Sequence, residues 1–478
     1  MNPDTAELTI LDNSSELVAP FGAAAAGRSE TGNLHRRWSR LRADEARMAA
    51  VRDCWQALWV SRLFVWVAGA GTVLALGFGP TRSAFNPPGV TRGFGWLGNL
   101  LAAPAARWDA SWYLVIAHYG YRPELGVFTA SRAAFFPLYP LGLRAVSSLG
   151  FPPVLAGVLL SILALALSLY GIHRLTTLEL ARANPFALAR PGGGREVARL
   201  AVLVTAFAPM AFYFSAVYSE SLYLALSIGV FWFARQGRWA AVGALGALAA
   251  ATRSAGVLLV VPALILYLYG PREDRRPDFA QLRSWALPRY RLRKDVLWLG
   301  LVPAGLAVYM AYLALSGGEA LMPFHAQDVW GRHFAGPYLG VWDGVKAAFG
   351  GARQLLSFQQ HHLYFPAATG SPFVAAGHNL MLVGFLILAV PAVVGVLRML
   401  PLAYGIYVLV ALALPLSYPV TAQPLMSLPR FLVVLFPLSI WLASWLAAHP
   451  RAQRPVLGAS LLLQALFVAQ FATWHWVA

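Results

Sequence analysis

Residues 379–398 read NLMLVGFLILAVPAVVGVLR, with no charge before the last position. A run this long and this apolar matches the ~20 residues that carry a helix across a bilayer core, and it lacks the spacing of a half-buried helix or strand. Comparable runs recur at 57–79, 152–173, 199–217, 221–235, 238–252, 255–270, 296–316, 401–417, 430–447 and 456–476. The sequence therefore predicts an all-α polytopic membrane protein with eleven spans. Composition agrees: 58% of the 478 residues are hydrophobic and 12% charged, against about 25% charged in an ordinary soluble domain.

The net charge of +17 is confined largely to short connections between apolar runs. Arg36, Arg37, Arg40, Arg42, Arg47 and Arg52 precede the first run, and the most basic connection is Arg272 to Lys294. This is the positive-inside pattern, which puts both in the cytoplasm and makes anionic membrane lipids the partners of the surplus charge, not nucleic acid. Residues 1–55 mix acids, Ser, Gly and Arg with little periodicity and read as a mobile cytoplasmic tail; 56–478 read as one membrane domain. The loops 80–134 and 317–378 and the C-terminus then fall outside. Residues 135–149, with Pro137 and Pro140, are too short to span comfortably and read as re-entrant or interfacial. Trp108 to Tyr121 read as an amphipathic helix in the membrane interface. Cys54 is the one cysteine, so no intramolecular disulfide forms. Arginine outnumbers lysine 35 to 2, as in a GC-rich bacterial genome, which points to the cell (inner) membrane.

Acidic residues are scarce: of 20, only Asp109, Glu124, Glu220, Glu319, Asp328 and Asp343 remain on the outer side. Asp109 stands among Trp108, Trp112 and Tyr113. An unpaired carboxylate there is costly, so it faces a polar cavity or a cation, or else pairs with Arg107 or caps its helix. Glu220, between two apolar runs, suits hydrogen bonds to sugar hydroxyls or to an arginine; alternatively, Ser219 caps the helix and Glu220 satisfies its first-turn amides. Arg253 interrupts an apolar stretch and Arg430 begins one. Both suit a phosphate at headgroup depth, and both could instead anchor their helices. The histidines, including His361-His362, follow no zinc spacing, so no metal or cofactor is expected. No GxSxG, P-loop or HExxH motif is present, which leaves hydrolase and NTPase readings unsupported. A lipid or sugar transporter would place ionisable groups at mid-membrane, reachable from both sides, whereas these acids gather at one face.

Trp108-Asp109-Ala110-Ser111-Trp112-Tyr113, continuing through Ile116-Ala117-His118-Tyr119-Gly120-Tyr121, resembles the mannosyltransferases similar to PIG-V. Phe135-Phe136-Pro137-Leu138-Tyr139-Pro140, Tyr218-Ser219-Glu220-Ser221-Leu222, Thr252-Arg253-Ser254-Ala255-Gly256 and Pro429-Arg430-Phe431 follow in the same order. The resemblance covers roughly 55–445. It implies a GT-C type helical bundle in which a carboxylate of the first outer loop, Asp109 by motif, acts beside a polyprenyl-phosphate sugar donor. Trp108, Trp112, Tyr113, His118, Tyr139, Glu220, Arg253 and Arg430 are the expected substrate-binding residues. One carboxylate as general base and a phosphate leaving group predict inversion at the sugar. The acceptor would be a glycan, glycolipid or protein; a transferase of the same fold for another sugar fits the same motifs.

Overall fold

The computed structural model describes residues 26–80, 95–121, 131–183, 193–278, 288–358 and 371–477. Met1–Ala49 and Ala50–Ala478 are separate compact units. The helix α1 (Ala26–Leu76) begins well before the apolar run, within the stretch where little periodicity was read. All that follows concerns the second unit.

Among the described residues the unit is α-helical and 3₁₀-helical, with a single isolated β-bridge, Arg332 to Val420. After α1 come α2 (Gly95–Ala102), α3 (Ala110–Tyr119), α4 (Leu138–Ser147), α5 (Pro153–Ala183) and α6 (Gly193–Ala206). A 3₁₀ turn, Ala211–Ser215, leads to α7 (Glu220–Arg235) and α8 (Trp239–Ala250). The 3₁₀ segment Ser254–Leu259 runs into α9 (Val260–Tyr269), and Lys294–Leu301 precedes α10 (Ala304–Leu315). The segment 317–378, expected outside and called the outer segment on that expectation, holds α11 (Met322–His325), the 3₁₀ turn Ala326–Trp330 and α12 (Pro337–Ser357). The chain ends with α13 (Pro372–Met399), α14 (Leu402–Leu416), α15 (Leu428–Val433), α16 (Phe436–Ala448) and α17 (Pro450–Ala472).

The protein is an all-α polytopic membrane protein. Four helices are long and apolar enough to cross a bilayer: Arg47–Leu76, Pro153–Leu180, Pro372–Met399 and Pro450–Ala472. The pair Lys294–Leu301 and Ala304–Leu315, bent by 42°, makes a fifth if it counts as one span. Elsewhere, helices of 10–17 residues stand where full spans were expected. The expected span 199–217 stops at Ala206, three residues before Pro209, which has no N–H to continue the helix and disfavours helical backbone at the residue before it; Arg62 of α1 satisfies the carbonyls left there. The buried guanidinium donates to Ala206 O at 2.9 Å, Ala211 O at 2.7 Å and Ser215 Oγ at 3.0 Å, closing the helix end and the 3₁₀ turn together. The expected span 430–447 is likewise broken between α15 and α16. Such breaks survive in lipid only where protein satisfies the freed backbone.

Two apolar clusters organise the unit. In one, Phe231 of α7 packs on Tyr404 and Tyr407 of α14 and Phe436 of α16, with centroids 4.6–5.3 Å apart. The other gathers Trp108, Tyr113, Phe135, Tyr139, Tyr213, Tyr218 and Phe471. Because α3 contributes seven of its ten residues to the buried interior, it is enclosed by protein and is not the amphipathic surface helix read from the sequence. The apolar surface left to lipid includes Trp59, Val60, Leu63 and Val67 of α1 and Ile387, Leu388 and Val390 of α13.

Candidate functional site

Four charged side chains from separate parts of the chain meet where helices begin or break. Asp109 precedes α3, Glu220 opens α7, Arg253 lies between α8 and the following 3₁₀ segment, and Arg430 sits in α15. Each position puts a side chain beyond the regular packing of its helix.

Local structure explains each placement. Trp108 has φ 53°, a left-handed conformation unusual for a bulky residue. That turn sends its indole toward the C-terminal end, where Nε1 donates to His475 O at 3.2 Å and the ring meets Trp474 and Trp476 edge-on. Arg107 joins the same end, donating to Ala472 O and lying over the Trp474 ring. Asp109 is thereby left facing the interior. Gly256 lets the chain after Arg253 fold back against α8; a Cβ there would overlap the Ala249 carbonyl.

The four groups form a network. Arg430 Nη1 donates to Asp109 Oδ2 at 2.8 Å, and Arg430 Nε donates to Glu220 Oε1. Arg253 Nη1 donates to that same Glu220 oxygen at 3.0 Å. The Arg430 guanidinium also lies 4.7 Å from the Tyr218 ring centroid and 5.1 Å from that of Tyr213, as a desolvated cation requires. Neither Asp109 nor Ser219 caps its helix through its side chain, whereas Glu220, besides its arginines, accepts a hydrogen bond from its own backbone N–H at the start of α7.

The network borders a cavity of about 260 Å³ lined by Asp109, Tyr113, Arg253, Arg332 and Arg430, with Phe135, Trp330, Phe431 and Trp476 among its apolar walls. Glu220 is fully buried behind the arginines. The cavity thus combines charged, aromatic and aliphatic lining, which can hold an anionic group beside an apolar one.

The expected residues divide. Asp109, Tyr113, Arg253 and Arg430 line the cavity, and Glu220 braces it. Tyr113 shares a 2.9 Å hydrogen bond with Ser219. Trp112 stacks on Phe135 and meets Trp330 edge-on, supporting the wall from behind. Trp108 and Tyr139 are buried supports: the Tyr139 hydroxyl bonds Gly157 O and Ser161 Oγ at 2.9 and 2.8 Å. His118, also expected to bind substrate, is exposed at the far end of α3 against Tyr119 and is not among the residues that line this cavity. On a helix, a residue nine positions from Asp109 falls on the opposite face, about two and a half turns away. Of the other acids expected outside, Glu319 meets His325 at 3.3 Å and Asp343 meets Lys346 at 2.7 Å, and neither lines the cavity. Glu124, His361 and His362 lie outside the described residues. Among the described residues no three His, Cys, Asp or Glu side chains gather as metal ligands.

The sequence reading missed Arg332 and Trp330 in the outer segment and the Tyr213–Tyr218 seat of Arg430. For the tyrosines a signal existed: two aromatic residues closely preceding Glu220 in a charge-poor stretch.

Residues 75–267 match the family described as mannosyltransferase (PIG-V). That stretch carries Asp109, Glu220 and Arg253 and supports a PIG-V-like mannosyltransferase; Arg430 lies beyond it. No curated protein and no solved structure matches the chain.

Proposed function

We propose that this PIG-V-like membrane mannosyltransferase takes mannose from a polyprenyl-phosphate carrier and transfers it, with inversion, to an acceptor hydroxyl at the extracytoplasmic face. The observation that carries this reading is the cavity in which one carboxylate, Asp109, stands beside Arg430 and Arg253 under an apolar, aromatic wall.

In this reaction the acceptor hydroxyl gives its proton to Asp109 as its oxygen bonds to the anomeric carbon. The bond from that carbon to the phosphate oxygen breaks on the opposite side, and the electron pair leaves with the polyprenyl phosphate. Guanidinium groups offset the charge gathering on that phosphate. Arg430 connects the two events. It bonds Asp109 directly; drawn toward an arriving phosphate, it leaves the Asp109 oxygen free for the acceptor hydroxyl when a donor is in place. Glu220 keeps Arg430 and Arg253 oriented throughout. Support for an extracytoplasmic active side comes from the cavity's place at the Ser254 end of α9, with the basic residues Arg272, Arg275 and Arg276 following the other end.

The test is incubation of the purified protein with polyprenyl-phosphate mannose and a membrane lipid extract, following donor loss and the appearance of a new glycoside. Conversion of that donor supports the reading. An untouched donor, alongside consumption of a nucleotide sugar or of a different polyprenyl-phosphate sugar, would replace it.

A further inference from the structure

Arg253 and Arg430 both bond Glu220, and Arg430 also bonds Asp109. Their charge is matched within the protein. The third arginine on the cavity wall, Arg332, is different. Its Nη1 donates to Tyr418 O at 3.0 Å and its Nη2 to Met426 O at 3.4 Å, both neutral carbonyls. Among the described residues no carboxylate pairs with it. The cavity group as a whole sets Arg253, Arg332 and Arg430 against Asp109 and Glu220, a surplus of one positive charge (3 − 2).

We propose that Arg332 is a binding residue for the phosphate of the lipid-linked donor. The assignment rests on the polyprenyl-phosphate donor proposed above. Its position is built, not incidental. Gly331 turns the chain with φ 65°, Arg332 forms the β-bridge to Val420, and Ala335 N donates to Ser417 O at 2.9 Å. These contacts seat the outer segment on the loop that leads to Arg430, with Gln327 and Trp330 on the same wall. Holding two carbonyls requires only neutral donors, which glutamine or asparagine supplies without the cost of desolvating a cation. Burial and the neighbouring Arg430 push the Arg332 guanidinium down to about 10, which leaves it charged at neutral pH. An unmatched cation in an apolar cavity calls for an anion, and its planar fork suits phosphate oxygens.

The test compares binding of a polyprenyl phosphate and of the matching polyprenol to the full-length protein in nanodiscs, for wild type, Arg332→Gln and Arg332→Lys. The wild type should prefer the phosphate. Arg332→Gln, which retains donors for the two carbonyls, should lose about tenfold or more in phosphate affinity, about 1.4 kcal/mol, with polyprenol binding unchanged. Arg332→Lys, a point charge without the fork, should fall between them, and it decides the matter alone if the Gln variant does not fold. Wild-type phosphate affinity in the Gln variant, or in the Lys variant when that stands alone, would overturn the assignment while leaving the donor in place. Equal loss for phosphate and polyprenol would make Arg332 only a clamp on the 417–427 loop. No phosphate preference in the wild type would remove the lipid-phosphate donor, and this role with it.

Discussion

Asp109 and Glu220 are both carboxylates facing Arg430, yet their burial separates their roles. The Asp109 side chain is 15% exposed and reaches the cavity, whereas that of Glu220 is 0% exposed and meets only protein. Asp109→Asn keeps the shape and one hydrogen bond but cannot accept a proton. Initial rates of glycoside formation should fall about 100-fold or more, with the fold intact by thermal unfolding; a near-normal rate would remove Asp109 as the base. Glu220→Gln should act first on stability. It leaves Arg253 without its carboxylate and Arg430 with Asp109 alone, a loss of about 3–5 kcal/mol for a broken buried pair. Thermal unfolding in detergent reads this directly, and an unshifted midpoint would show that the arginines are held by something else.

At the scale of elements, α12 shows how the outer segment is fastened. Gly340, Gly344, Ala348 and Gly351 form its buried face, while Tyr338, Trp342, Val345 and Phe349 are exposed. A Cβ at Gly340 would overlap the Leu416 carbonyl, whereas one at Gly350 meets nothing. Gly340→Ala should therefore destabilise by about 1–3 kcal/mol. Gly350→Ala should be neutral or stabilising by up to about 1 kcal/mol, since alanine favours helix. Equal unfolding midpoints for the two variants would mean that α12 does not pack as described. The same contrast explains what was legible in the sequence. Asp109, Glu220, Arg253 and Arg430 stand out because a charge inside or beside an apolar run is expensive and needs a reason. Arg332 lies in a mixed outer segment where a charge costs nothing visible, and only the bridge to Val420 brings it inward. Helix existence was legible for the long apolar runs, and Pro209 was a signal that the run 199–217 breaks, but the capping of that end by Arg62, 144 residues away in sequence, left no local mark. The aromatic motif located the site without telling which rings face it, so Trp108 and Tyr139 read like cavity residues although they serve as supports.

Across the whole molecule, α7 joins two layers of buried charge. Its first residue, Glu220, belongs to the cavity network, and its last, Arg235, pairs with Glu179 at 3.0 Å, beside the Tyr404 hydroxyl. Single cysteines beside Asp109 and within 272–276, introduced with Cys54 removed, should label oppositely with an impermeant reagent in intact cells. Labelling of the 272–276 segment alone would invert the orientation. The length of α7 carries a further consequence. Sixteen residues at 1.5 Å each span about 24 Å, while the hydrocarbon slab of an ordinary bilayer is about 30 Å thick. With both ends pinned by ion pairs, the helix cannot slide or stretch to close the gap. For the polyprenyl-phosphate donor proposed above, a phosphate held at the Glu220 end of so short a helix should sit below the headgroup plane, or the leaflet should thin around the protein. Turnover should then rise as the acyl chains of the host lipid shorten, making hydrophobic mismatch a rate-setting property of the membrane in which the protein sits.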